Sequence, residues 1–171
     1  SYDRDKYREV DKRLVAATTF DDDAIATWST EFVAAPAAFN AFAAHAALEY
    51  AALRDDAGWE GKGRALADAM DAELWDDVEG LWSDRAVVGG GPSVSIPTLD
   101  GVFGALVTAN EAYATRALDQ LVDPKRFGTD LGLSFLPTSH PRFDARQYWR
   151  GPAWPQLNYM AFVAAQRWAA E

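Results

Sequence analysis

The chain has 171 residues, with 16 Lys and Arg against 26 Asp and Glu, a formal net charge of −10 and a pI near 4.6. So acidic a chain argues against duplex nucleic acid and anionic membrane as partners, because both are bound through a basic face. With no Cys and only His45 and His140, disulfide scaffolds and Cys-ligated zinc are excluded, a multi-His site is not expected, and no metal or cofactor is implied.

Apolar residues make up 49% and charged residues 25%, the balance of an ordinary globular protein. At roughly 150 residues per domain, residues 1–171 are expected to form part of a single domain with no second one. Both ends read as cuts. Ser1-Tyr2-Asp3-Arg4 opens without an initiator Met or a signal-peptide run, and Ala169-Ala170-Glu171 stops inside a helical pattern without a cap, so a fragment is expected.

In chain order, Tyr7, Val10 and Leu14 share one helical face after Asp3 as N-cap. Ile25, Trp28 and Phe32 predict a second helix, with Asp21-Asp22-Asp23 suiting its positive end. Pro36 fits a first helical position, and Phe39, Phe42, Ala46, Tyr50 and Leu53 follow on one face. The apolar stretch from Phe32 to Leu53 is interrupted by Pro36, Asn40, His45 and Glu49. It therefore reads as a helix buried among others rather than a membrane span. Gly58 and Gly61 predict a break around Trp59, before a helix carrying Leu66, Met70 and Leu74.

Gly80, Gly89-Gly90-Gly91, Pro92 and Pro97 exclude helix over residues 78–97, where 81–84 and 86–88 predict a hairpin. The glycine triplet is no phosphate loop, since no Lys-Ser/Thr follows it. A helix with Val102, Phe103, Leu106 and Val107 is predicted next. Thr108-Ala109-Asn110-Glu111 has the capping-box pattern of another, which carries Tyr113, Ala117 and Leu121 and stops at Asp123-Pro124. Residues 127–151 read as an irregular loop. The last helix begins near Pro155 and aligns Leu157, Met160, Ala161, Ala164 and Trp168. About seven helices and one hairpin make an all-α protein, with Ala on several helix sides permitting close approach. Stacked helical hairpins fit better than a four-helix bundle, and no fixed-period repeat is visible.

The loop before the last helix concentrates chemistry. Tyr148, Trp149, Arg150 and Trp154 lie close together, with Gly151 and Pro152 fixing the backbone between them. Flat aromatic faces stack on sugar C–H faces, and a guanidinium donates several fixed hydrogen bonds to hydroxyl or carboxylate oxygens. On the residues alone, two readings stand level: a sugar site, or core tryptophans with Arg150 paired to a buried carboxylate. Gln147 is a candidate for a further hydroxyl contact and His140 for a rim hydrogen bond. Asn40 is a candidate for substrate contact or for a local cap. Ser139, His140 and Asp144 share one loop, from which no Ser-His-Asp triad can be argued, so a hydrolase triad is not expected.

Residues 148–155, followed by Asn158-Tyr159, resemble the Tyr-Trp-Arg-Gly-Pro-x-Trp-Pro…Asn-Tyr signature of clan G glycosidases. That group includes glycoside hydrolase family 63, the trehalases and the bacterial mannosylglycerate and glucosylglycerate hydrolases. Residues 74–84 resemble a second family element, a helix end running into a Gly turn and an aromatic-Asp strand. Residues 36–53, with Phe39-Asn40, resemble the helix entering the central cavity. The order matches, over most of the chain after Thr30.

The resemblance implies an (α/α)6 toroid, present here as a partial barrel of about seven helices, and an inverting α-glycosidase acting on a gluco- or manno-configured sugar in the bacterial cytoplasm. Its implied substrate-binding residues are Tyr148, Trp149, Arg150, Gly151, Trp154, Gln147, Asn40 and His140. Its implied partners are a small carbohydrate and the remaining segments of the same barrel. Inversion needs two carboxylates ~6.5–9.5 Å apart. The family's acidic Asp stretch, Gly-x-Asp-Asn-Ser-Pro-like, is not found, and its basic Glu would fall beyond Glu171. No catalytic acid or base is therefore assigned, and Asp100, Asp130 and Asp144 are candidates only if the signature misleads. Thr18-Thr19-Phe20 lacks the Arg-Pro-Thr…Tyr element of glycerate-processing relatives, which counts against glycerate as aglycone. The alternative is a non-catalytic helical module that binds a carbohydrate or a partner helix. A sugar-epimerase toroid is disfavoured, since proton transfer there relies on several cavity histidines.

Overall fold

Asp21 folds the chain where a helix start is predicted. In the computed structural model, which describes residues 4–88 and 96–169, its carboxylate accepts the N–H groups of Asp23 at 3.1 Å and Ile25 at 2.8 Å. Its own N–H donates to Ile25 O, and Ala24 takes a left-handed φ of 61°. The acidic triplet is thus a turn, joining β1 (Thr18–Phe20) to β2 (Ala26–Ser29) with Thr19 opposite Trp28. The predicted helix over Ile25, Trp28 and Phe32 does not form. A side chain that closes a turn competes directly with helix initiation, and the flanking Thr, Phe and Trp favour strands.

The chain divides into two compact units. The first, Ser1–Ala35 with Arg85–Val94, holds α1 (Arg4–Ala16), the β1–β2 hairpin, and β3 (Val33–Ala35) paired with β6 (Arg85–Val88). None of the residues of α1 is buried, and Tyr7 on its predicted apolar face is exposed. Its proposed cap, Asp3, lies outside the described residues, as do Gly89-Gly90-Gly91 and Pro92.

The second unit, Pro36–Asp84 with Ser95–Glu171, contains the main core. Here α2 (Ala37–Arg54) packs on α3 (Ala57–Glu73) largely through alanines. Of the predicted aromatic face, Tyr50 meets Trp59 of α3 edge-on at 5.6 Å and Phe42 meets Phe103 at 5.0 Å. Ala37, Ala38, Ala41, Ala44 and Ala51 are buried, whereas Phe39 is 77% and Leu53 83% exposed. Methyl side chains let the two backbones approach closely. A Cβ on Gly63 would lie 2.8 Å from Leu48 Cγ and 3.2 Å from Ala44 O. The predicted break at Gly58 and Gly61 sits earlier, at two acids. Asp55 ends α2 with φ 53°, and Asp56 caps α3 by accepting from Gly58 N and Trp59 N at 3.0 and 3.2 Å.

The predicted hairpin of 81–84 with 86–88 is also replaced. β5 (Leu81–Trp82) pairs with β4 (Trp75–Asp76), while 85–88 pairs with β3 inside the first unit. After Pro97 the chain forms a 3-10 segment, Leu99–Leu106, rather than an α-helix, and every residue except Asp100 is buried. Three residues per turn set Gly101 and Gly104 on one side. A Cβ on Gly101 would lie 2.7 Å from Trp82 O, and one on Gly104 would enter the Trp82 indole. Two glycines that weaken an α-helix thus let this segment press on Trp82. It contacts α2, β5, α4 (Glu111–Leu118) and α5 (Pro155–Ala169) and is the hub of the core.

The cap of α4 is Asn110, two residues after the predicted Thr108. Asn110 Oδ1 accepts from Tyr113 N, while Thr108 Oγ1 donates to Asp71 Oδ2 at 2.5 Å and accepts from Asn110 N. Asp71 Oδ1 also accepts from Trp82 Nε1, joining α3, β5 and the end of the 3-10 segment. A 3-10 turn, Asp119–Leu121, follows α4 before Pro124. The loop expected over 127–151 contains a hairpin, β7 (Gly128–Thr129) with β8 (Gly132–Leu133). Four two-stranded sheets therefore stand where one hairpin is predicted, among five α-helices and two 3-10 segments in the described residues. No helix among them is long and apolar enough to cross a membrane.

Candidate functional site

The segment preceding α5 is a succession of tight turns. His140 N–H donates to Pro137 O, Phe143 N–H to His140 O, Gln147 N–H to Asp144 O and Arg150 N–H to Gln147 O. Trp149 sits in the left-handed region with φ 57°. Gly151 is buried against the backbone of residues 144 and 145. A Cβ there would overlap Asp144 O and lie 2.6 Å from Ala145 Cα, so no other residue fits without displacing the loop.

These two bends lay Trp149 on Trp154, with centroids 4.5 Å apart and planes 26° apart. Tyr148 stands edge-on to both, at 5.4 and 4.8 Å, and Phe135 meets Trp149 edge-on at 5.0 Å. Tyr148 is 69% and Trp149 43% exposed. Trp154 Nε1 is buried with no hydrogen-bond partner among the described residues. An unpaired buried donor costs about 1–3 kcal/mol. The arrangement offers an apolar wall with one unused donor and a phenol at its rim. Arg150 and Gln147 are exposed in the same loop.

The other predicted site residues are engaged locally. Asn40 Nδ2 donates to Pro36 O at 2.8 Å within the first turn of α2. His140 Nδ1 accepts the N–H of Arg142 at 3.1 Å in its own turn. Asp144 Oδ1 accepts from Arg146 N, and Asp130 is exposed. No cluster of three or more His, Asp and Glu able to hold a metal occurs among the described residues. A cavity of about 740 Å³ lies elsewhere, between α2, α3 and α5, with His45, Glu49, Arg64 and Arg167 in its lining.

A relationship not foreseen in the sequence joins Asp84 and Asp100. Asp84 Oδ1 accepts Ala37 N–H at 2.8 Å, at the start of the helix that carries Asn40. Burial, and secondly the charge of Asp84, push the Asp100 carboxyl up to about 6. The neighbouring Leu99 N–H donates to Phe135 O at 2.9 Å, linking this segment to the residue that supports Trp149. The available signal was the helix entry at Pro36 and, later in the chain, the aromatic-Asp end of residues 74–84, but nothing in the spacing paired Asp84 with Asp100.

A curated mannosylglycerate hydrolase of Rubrobacter radiotolerans is 25% identical over 182 residues, covering 100% of this chain and 40% of the relative. The chain thus spans less than half the length of that protein. The GH63 mannosylglycerate hydrolase of Thermus thermophilus, solved in complex with glucose, superposes with a TM-score of 0.65 at 23% identity, over 81% of this chain and 34% of that one. The same enzyme in complex with Tris and D-glycerate gives 0.62 at 23%, over 79% and 33%. This likeness establishes a shared fold, that of the (α/α)6 toroid, of which the described helices form part. The family model for the mannosylglycerate hydrolase MGH1-like glycoside hydrolase domain matches residues 2–171, and the chain belongs to that family.

Proposed function

We propose that this chain forms one wall of the sugar site of an inverting α-glycosidase acting on a gluco- or manno-configured substrate. The catalytic acid and base are supplied from outside these residues. The observation that carries the reading is the Trp149–Trp154 stack with its unpartnered Trp154 indole N–H. The half-exposed face of Trp149 receives the C–H face of a sugar ring, and Trp154 Nε1 donates to a hydroxyl. Tyr148 and Arg150 bound the site with further polar groups, and Gly151 sets the spacing between them. Gln147 contributes from the same loop. Asn40 and His140 act through Oδ1 and Nε2, the polar atoms their local bonds do not use. Membership of a glycoside hydrolase family, and the glucose and D-glycerate bound to the Thermus enzyme, support a small sugar ligand. Inversion itself requires two carboxylates ~6.5–9.5 Å apart, one protonating the leaving oxygen and one activating water.

Tryptophan fluorescence and steady-state kinetics on the intact enzyme test the reading. Trp149→Ala and Trp154→Ala are each expected to abolish quenching by sugar and to raise KM by roughly tenfold, the equivalent of about 1.4 kcal/mol. Wild-type quenching in both variants would refute the wall. Turnover by the 171-residue chain alone would refute the external placement of the carboxylates. Sugar quenching without turnover of any α-glycoside by the intact protein would favour the non-catalytic binding module.

A further inference from the structure

We propose that Asn158 is a positioning residue for the Trp149–Trp154 stack, a single amide that fixes the supports of both indoles. Its consequence for sugar binding rests on the function proposed above. Asn158 lies one turn into α5. Its Oδ1 accepts Leu133 N–H at 2.8 Å, and its Nδ2 donates to Leu133 O at 3.3 Å and Trp154 O at 3.0 Å. The side chain therefore pairs with both polar groups of Leu133 as a neighbouring strand would, and holds the carbonyl of Trp154 with its remaining donor.

Each contact leads directly to one indole. On one side, the held carbonyl belongs to Trp154 itself and already accepts Asn158 N–H at 2.9 Å. On the other side, the chain runs from Leu133 through Ser134 to Phe135. Ser134 is buried, its N–H bound to Phe127 O and its hydroxyl to Leu136 O, so little motion is lost along this path. Phe135 then meets Trp149 edge-on at 5.0 Å. Displacing Leu133 from Asn158 displaces the ring that supports Trp149.

The joint is built for Asn. It needs one acceptor and two donors, which a carboxylate lacks and which Gln would carry one methylene too far. Gly132, with φ 113°, completes it: a Cβ there would lie 2.7 Å from Asn158 Oδ1. An amide serving only as a helix-end bond would need Trp154 O alone and would leave Leu133 unused.

The test reads indole geometry in the intact protein without ligand. Stacked indoles give an exciton couplet in circular dichroism, assigned here by its loss in Trp149→Phe. Asn158→Ala, Asn158→Asp and Gly132→Ala are expected to lower the couplet by about twofold or more while the far-ultraviolet helix signal is kept. In Asn158→Asp the couplet should partly return on acidification through about pH 4, where the carboxyl regains a donor, and in Asn158→Ala it should not. With substrate, KM should rise about tenfold and kcat change by less than about threefold. An unchanged couplet in both Asn158 variants overturns the proposal. So does collapse of the helix signal in all three variants, which would make Asn158 a residue of the fold. A lost couplet with unaltered KM leaves the positioning role standing and refutes the sugar wall instead.

Discussion

Trp149 and Trp154 lie face to face at 4.5 Å, and the backbone of Trp149 is left-handed to place it there. A left-handed non-glycine residue costs roughly 1–2 kcal/mol, and an aromatic pair returns about 0.5–1.5 kcal/mol beyond its burial. The two terms nearly offset, so the stack does not hold itself. Its geometry is imposed by the loop, through Gly151 packed on the backbone of residues 144 and 145 and Phe135 edge-on to Trp149.

Gly151→Ala should therefore destabilise the protein by about 1–3 kcal/mol, because the new methyl must displace the backbone of residues 144 and 145. Urea unfolding measures it. A change within a few tenths of a kcal/mol would mean the loop yields freely, contrary to its packing.

Asp71 is the shared acceptor for Trp82 Nε1 and Thr108 Oγ1, both on fully buried side chains. Asp71→Ala leaves two buried donors unpaired and should cost about 2–4 kcal/mol. Asp71→Asn keeps one acceptor and should cost less. Equal losses in the two variants, by thermal or chemical denaturation, would contradict the shared-acceptor role.

Asp100 links stability to pH. Its carboxyl is raised from 3.8 to about 6 in the folded protein, so the native state holds the proton more tightly than the unfolded chain. That contribution is present in full below about pH 3.8 and is lost as pH rises through 6. Asp100→Asn, which cannot ionise, should raise stability at pH 7 by about 1–2 kcal/mol, after allowance for solvent screening of a half-buried side chain, and by little at about pH 4. Melting temperatures across that range check the sign. A destabilised variant at pH 7 would contradict it.

The alanine face of α2 makes a packing prediction. Ala44 is fully buried, and its carbonyl lies 3.2 Å from where Gly63 would carry a Cβ. Ala44→Leu should force α2 and α3 apart at a cost of about 1–3 kcal/mol. Differential scanning calorimetry would register this as a lowered Tm, and an unchanged Tm would place the contact elsewhere.

The sequence alone determined the features that depend on near neighbours. The run over Leu66 and Met70, the helix entry at Pro36, the stop before Pro124 and the last helix from Pro155 follow from caps, prolines and helical spacing within a few residues. The aromatic signature was legible for the same reason, as contiguous residues whose types carry their chemistry. Tertiary structure decided what depends on distant partners. Asp21 closes a turn rather than starting a helix because strands on either side pair. Phe39 and Leu53 of α2 face outward because the buried side of that helix is lined by alanines that let α3 approach closely. Leu99–Leu106 becomes a 3-10 segment because Trp82 occupies the side where its glycines lie. Asn158 reads in sequence as the tail of a motif, and its bond to Leu133 exists only once the β7–β8 hairpin folds back on α5. Short-range signals are written in consecutive side chains. Close approach is a property of pairs of surfaces, and one chain segment carries only half of it.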